Sequence, residues 1–151
     1  MISEDVRDLY QDVILSHARN PLHRVALEPF DAEAAGDNPL CGDRCTVRVR
    51  FGDMGGIARA AFEGRGCAIS MASADLMAEA VQGRGADEVR RLAAAFAVLA
   101  KTGASDCDDT AMAALRPLSG VAEYPSRVKC ATLPWAALIA ALDGAKEASS
   151  E

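Results

Sequence analysis

Asn38-Pro39-Leu40-Cys41-Gly42-Asp43 runs without a break into Arg44-Cys45-Thr46-Val47-Arg48-Val49-Arg50-Phe51. In the second part Cys45, Val47, Val49 and Phe51 alternate with Arg44, Thr46, Arg48 and Arg50, the period of two of a half-buried strand. Gly52-Asp53-Met54-Gly55-Gly56 supplies a hairpin connection, and Ile57 to Glu63 returns as the partner strand with Ala58, Ala60 and Phe62 on one face. The first part is a tight turn. Pro39 restrains Asn38 to extended geometry and Gly42 lets the backbone fold, so the thiol of Cys41 and the carboxylate of Asp43 converge on one point. Cys45 points the other way, into the core with the valines, and is read as a packing thiol.

Upstream, Val6, Leu9, Tyr10, Val13, Ile14 and His17 recur at helical spacing, with Ser3 as cap ahead of Glu4 and Asp5. The helix should stop near Arg19, because Pro21 pushes Asn20 out of helical geometry. His17 is read as a helix-terminal histidine favoured by the dipole rather than as a ligand, and His23, in the following loop, is given no role. Val25 to Phe30 forms a short strand before the polar segment Asp31 to Asp37 interrupts the pattern.

Downstream, a helix runs from about Ala68 to Val81 with Ile69, Ala72, Leu76 and Ala80 inward. Gly83-Arg84-Gly85 ends it, and Asp87 and Glu88 open another with a stripe of Val89, Leu92, Phe96 and Leu99. Ala104 to Asp109 is an acidic loop leading into a helix from Thr110 to Leu115. Its Cys107, among three aspartates, is in a setting that works against a nucleophilic thiolate and stays outside the site. Leu118, Val121 and Tyr124 pack back on the core. A last helix carries Leu133, Trp135, Leu138, Ile139 and Leu142, and Pro134 is tolerated only in its first turn, which sets Cys130 at or just before the helix start. The tail after Gly144 is expected to fray. The fold class is α+β: a small antiparallel three-stranded sheet with helices packed on one face, in a single domain over residues 1–151.

A chain of 151 residues buries a core large enough to need no covalent staple. No apolar run approaches the ~20 residues of a membrane span, and the acidic start Met1-Ile2-Ser3-Glu4-Asp5 lacks the order of a signal peptide, so a soluble, cytoplasmic protein is expected. A net charge of −6 with dispersed basic residues excludes nucleic acid as a natural partner.

Five cysteines cannot all pair within the chain, and in a reducing compartment most are thiols. Cys67 follows Gly64-Arg65-Gly66 at the start of a helix, where the dipole favours a thiolate. Cys130 follows Pro125-Ser126-Arg127-Val128-Lys129. Cys41, Asp43, Cys67 and Cys130 thus all sit at element ends, where loops converge over a scaffold. Three thiolates and a carboxylate form a soft, tetrahedral set suited to zinc or iron-sulfur chemistry and poor for magnesium or calcium. The competing reading, on spacing alone, is that these cysteines are small core hydrophobes. Arg127 either steadies thiolate charge or is an outward surface arginine. A cysteine hydrolase lacks support, since both histidines lie within the first 23 residues, away from any candidate nucleophile.

The chain resembles the IscU/SufU (NifU N-terminal-like) family of iron-sulfur cluster assembly proteins. The resemblance is carried by Leu9-Tyr10 through Val13-Ile14-Leu15, His17, Asn20-Pro21 and Asn38 to Asp43. Further on it continues through Phe62 to Ser70 with Ala72-Ser73, and Tyr124 to Ala131. It implies metal ligation by Cys41, Asp43, Cys67 and Cys130. Lys129 stands where IscU-type scaffolds carry a histidine ligand, and the segment from Cys67 to Cys130 is longer than theirs, which places the chain in the SufU branch. The branch implies a zinc-bound, sulfurtransferase-like acceptor of persulfide sulfur at Cys41. Its partner would be a SufS-type cysteine desulfurase, which holds the pyridoxal phosphate, and the sulfur would pass on to downstream iron-sulfur assembly proteins. The alternative is an IscU-like scaffold that binds iron and builds a transient cluster on the same ligands.

Overall fold

The alternating residues 44–51 form the middle of the sheet. In the computed structural model, which describes residues 4–148, the strands β1 (Ala32–Asn38), β2 (Asp43–Phe51) and β3 (Ile57–Arg65) lie in that order and are antiparallel. Cys45, Val47 and Val49 are wholly buried, and Val47 faces Ala34 on one side and Phe62 on the other. Helices α1 (Glu4–Arg19), α2 (Ala68–Val81), α3 (Ala86–Thr102), α4 (Thr110–Leu115) and α5 (Pro125–Leu142) are joined by a 3₁₀ segment at Arg116–Glu123. Helix α5 lies on β1 and β2, and α2 lies on β3 and against α5. Helix α1 then packs on α2, and α3 on α5. This is the expected α+β arrangement.

Helix α2 is enclosed on all sides. Every residue from Ser70 to Ala78 is buried, so its polar members need internal partners. Ser73 Oγ donates to the Ala131 carbonyl of α5 at 2.5 Å. Asp75, with no exposed surface, accepts from His17 Nδ1 at 2.6 Å and from the His23 amide at 2.8 Å. His17 therefore fastens α1 to α2, and its partner is a carboxylate rather than the dipole of its own helix.

Several expectations are corrected. Val25 to Phe30 is irregular, and the strand is the next segment, Ala32–Asn38. Its inner residues are small because α5 presses close: a Cβ at Gly36 would lie 2.8 Å from Leu133 Cδ1. Ala58 faces solvent, since a bulge pairs Phe51 with Ile57 and Arg50 with Arg59 and leaves Ala58 as the extra residue. Leu9 and Tyr124 are both 61% exposed instead of packed inward. Ser3, the expected cap of α1, and the side chain of Val6 lie outside the described residues.

Helix α5 starts with Pro125 at its first position, so Pro134 falls inside the helix and Cys130 sits well within it. Pro134 has no N–H to offer the Cys130 carbonyl, and the Ser73 hydroxyl on the neighbouring Ala131 carbonyl ties α2 to α5 at that point. Beyond Gly144, the Ala35 amide donates to the Lys146 carbonyl at 3.0 Å and the Ala148 amide to the Ala35 carbonyl at 2.8 Å. The chain there runs parallel along the outer edge of β1.

Candidate metal centre

The sheet register explains how distant cysteines meet. Asn38 pairs with Asp43 across the β1–β2 turn, and Arg44 pairs with Arg65, so the end of β3 arrives beside the start of β2. The turn is closed by the Asn38 carbonyl, which accepts from the amides of Cys41 at 3.1 Å and Gly42 at 2.9 Å. Cys67 then occupies the N-cap of α2, as its sequence position implied. Helix α5, lying over β1 and β2, delivers Cys130 from its second turn.

Cys41 Sγ, a carboxylate oxygen of Asp43 and Cys130 Sγ all lie within 4.8 Å of one another. Cys67 Sγ falls outside that group and lies 3.9 Å from Ser70 Oγ, while the Cys67 amide donates to Asp43 Oδ1 at 2.9 Å. The structure thus brings three of the four named residues together through their ligand atoms, and the fourth beside them, its amide on Asp43 and its thiol next to Cys130.

Asp43 is the most informative of them. It is 1% exposed, its Oδ1 is satisfied by Cys67, and its Oδ2 is buried with no hydrogen-bond partner among the described residues. An orphaned oxygen on a buried carboxylate beside two sulfurs is an unfavourable state, because desolvation without a compensating cation or donor costs about 1–3 kcal/mol or more. A bound cation would remove that penalty. Room for the carboxylate depends on Gly66, where a Cβ would stand 2.6 Å from Asp43 Oδ1 and 2.4 Å from Ser70 Oγ.

The thiols differ in access and chemistry. Cys41 is exposed, Cys67 half-buried and Cys130 buried. Burial pushes the Cys130 thiol well above the usual range, and the neighbouring Asp43, Cys41 and Cys67 push it further, since a second anion is unwelcome there. Arg127 is exposed, and its guanidinium is held more firmly protonated by Cys67 first and by Cys130 next. It therefore faces the sulfurs. Cys45 is fully buried and pushed up to about 12 by desolvation, an inert thiol as its strand position required. Cys107 is half-buried in the loop before α4, away from the group formed by Cys41, Asp43 and Cys130.

Asn38, Gly66 and Ser70 support the centre and were not singled out from sequence. Asn38 is 6% exposed with Nδ2 4.0 Å from Cys130 Sγ. The signal was present: Asn38 precedes Pro39 in the quoted turn, and Gly66 is the second glycine of a doublet whose first already loosens the chain.

A three-stranded sheet whose hairpin tip, one helix start and one helix interior gather cysteines around a buried aspartate defines a class of small α+β domains with a thiol-rich centre. The family model for the NifU-like N-terminal domain matches residues 9–131, and the chain belongs to that family, which includes IscU and SufU. It is 36% identical over 131 residues to the zinc-dependent sulfurtransferase SufU of Bacillus subtilis, covering 86% of each chain. It is also 36% identical over 138 residues to the iron-sulfur cluster assembly scaffold protein IscU of Streptococcus pyogenes, covering 91% of this chain and 85% of that one. The crystal structure of the N-terminal part of a nitrogen-fixing NifU-like protein from Brucella abortus superposes with a TM-score of 0.80 at 28% identity, covering 92% of this chain and 95% of that chain.

Proposed function

We propose that this chain is a SufU-type sulfur acceptor in iron-sulfur cluster assembly, with zinc held by Cys41, Asp43, Cys67 and Cys130. The observation that carries the reading is the buried carboxylate of Asp43 set beside Cys41 and Cys130, its Oδ2 without a partner among the described residues, with Cys41 the exposed thiol of the group. The likeness to the zinc-dependent sulfurtransferase of Bacillus subtilis supports the same assignment. Two thiols and a carboxylate within 4.8 Å fit a tetrahedral ion with bonds of ~2.0–2.3 Å, and Cys67 supplies the fourth ligand. When bound, zinc holds thiols as thiolates at neutral pH and adds no redox chemistry of its own.

Cys41 is the acceptor. Its thiolate attacks the outer sulfur of a persulfide on a SufS-type cysteine desulfurase, a new S–S bond forms at Cys41, and the donor cysteine leaves as a thiolate, with no net change in electrons. Cys41 is exposed on a hairpin turn open to a partner, whereas Cys130 is inside a helix and buried. Asp43, Cys67 and Cys130 hold the centre together while Cys41 is engaged, and Arg127 offsets the negative charge that gathers on the sulfurs. Replacing Cys41 with alanine should abolish stimulation of the desulfurase; full stimulation by that variant removes Cys41 from the acceptor role.

A second reading is an IscU-like scaffold that builds a cluster on the same residues, and the equal identity to the Streptococcus pyogenes scaffold favours keeping it in view. Lys129, exposed beside Cys130, stands against it, because an ammonium is no metal ligand where a histidine would be one. Protein purified without air should be colourless and carry zinc; a brown, iron-containing sample would establish the scaffold instead.

A further inference from the structure

Four arginines form an arc beside the thiol centre of a chain whose net charge is −6. Arg19 at the end of α1, Arg24 in the next loop and Arg65 at the end of β3 line a cleft of about 370 Å³, together with Leu15, Gly66 and Met71. Gly66 joins that cleft to Cys67, and Arg127, in the first turn of α5, lies beside the same Cys67. All four side chains are exposed, and none makes an ion pair among the described residues. Arg24 alone is tied down, donating to the Gly64 carbonyl at 2.6 Å.

The setting makes this more than a solvated charge run. Elsewhere several arginines are paired, Arg44 with Asp37, Arg48 with Glu33, Arg84 with Asp109 and Arg90 with Asp143, and Arg50 donates to the Pro29 carbonyl. An acidic chain that leaves Arg19, Arg24 and Arg65 unneutralised along one rim, with Arg127 set against the sulfurs beside them, pays their mutual repulsion unless a negative surface covers them. Large apolar side chains are exposed in the same segments. Leu22, between Arg19 and Arg24, is 69% exposed, and Leu40, next to Cys41, is 88% exposed. Arginine mixed with isolated apolar anchors is the composition of a protein interface, and a free small anion would have no use for the leucines.

We propose that the arc Arg19, Arg24, Arg65 and Arg127 receives an acidic segment of the sulfur-donating enzyme and so orients that enzyme's persulfide toward Cys41. This rests on the sulfur-acceptor reading for its partner, and the arc acts on encounter and orientation, not on the sulfur transfer itself. Long-range attraction of this kind raises the rate of association and sets register, and it weakens with salt.

The test uses the full chain loaded with zinc and the SufS-type cysteine desulfurase of the same organism. Arg19→Glu and Arg65→Glu are combined, with Arg91→Glu on the exposed side of α3 as the control. Binding to the desulfurase is measured by calorimetry at low and at high salt, and cysteine turnover is measured separately. The double variant should keep its zinc and its maximal turnover at saturation, yet need a concentration at least about tenfold higher to reach half of it, and its affinity should lose most of its salt dependence. The control should match wild type. Equal affinity of the double variant and wild type overturns the proposal. If wild type binds with salt-sensitive affinity that the double variant loses, but never stimulates turnover, the arc stands and the sulfur-acceptor reading falls. If wild type does not bind the enzyme, the proposal falls with its partner. Inorganic phosphate titrated into the free chain provides the last arm: tight binding abolished by the double variant, with enzyme affinity unmoved, would make the cleft an anion site and overturn docking.

Discussion

Replacing Gly66 with alanine tests whether the centre depends on the packing around Asp43. The added Cβ would lie 2.6 Å from Asp43 Oδ1, 3.1 Å from its Cγ and 2.4 Å from Ser70 Oγ. Neither neighbour has free space to retreat into, since Asp43 is 1% exposed and Ser70 is fully buried. Overpacking of this sort costs about 1–3 kcal/mol. If the carboxylate swings away, the 2.9 Å bond from the Cys67 amide goes too, a charge-assisted bond of about 1.5–3 kcal/mol. One displacement relieves both strains in part, so the two figures do not add, and a loss of about 2–4 kcal/mol is expected. Metal retention should fall further than stability alone requires, by about 10–100-fold, as when a residue that orients a ligand is lost.

Urea unfolding of the metal-free protein and chelator competition for zinc measure the two effects separately. Adding Ser70→Ala to Gly66→Ala separates them again. Removing the hydroxyl clears the 2.4 Å contact and should recover part of the stability, but the contact with Asp43 remains, so zinc should still be lost easily. A Gly66→Ala protein with wild-type zinc affinity would refute the role given to the Asp43 carboxylate.

Further outcomes follow from the same contacts. Asp75→Ala should destabilise the chain by about 3 kcal/mol in urea unfolding, because it strands the His23 amide and releases His17 at a fully buried position of α2, while zinc content stays unchanged. Arg84→Ala breaks a two-point pair with Asp109, at 2.6 and 2.8 Å, and should cost about 1–2 kcal/mol after allowing for the solvent that still reaches Asp109. Arg84, and then the Ala111 amide, hold the Asp109 carboxyl below its ordinary value, so the stability it contributes is present above about pH 4 and is lost as pH falls below that; Asp109→Asn should flatten the acid limb of a stability-against-pH curve. The sign reverses for Cys45. Its folded value of about 12 lies above that of a free thiol, so the unfolded chain gives up this proton first and stability declines as pH rises from about 8.5 towards 12. Cys45→Val should remove that contribution, and alkylation of the native, metal-free protein at mild alkaline pH, followed by mass analysis, should modify Cys41 well before Cys45.

What the sequence discloses is what burial alone decides, and the two ends of the sheet show the boundary. From Arg44 to Phe51 on β2 every inward residue is apolar and every outward one is Arg or Thr, so period two is visible and Cys45 can be assigned to the core. On β1 the same face is filled by Ala34 and Gly36 because Leu133 of α5 presses on it, a demand that comes from another part of the chain and leaves no β-branched signature. The local pattern accordingly points to the more apolar Val25 to Phe30 instead. Cys130 shows the same limit from the other side. Local rules placed it at a helix start because Pro134 should sit in a first turn, whereas Pro125 begins the helix and Pro134 is carried inside it, beside the Ser73 hydroxyl of a different helix. The part of the candidate site around Asp43 is nevertheless legible, because it needs only the hairpin that opens at Asp43, the return of β3 to Arg65 and a helix that starts after Cys67, whereas Cys130 arrives through the packing of α5 on the sheet. Those features are local, and once they hold, antiparallel register leaves Cys67 no place but beside Asp43.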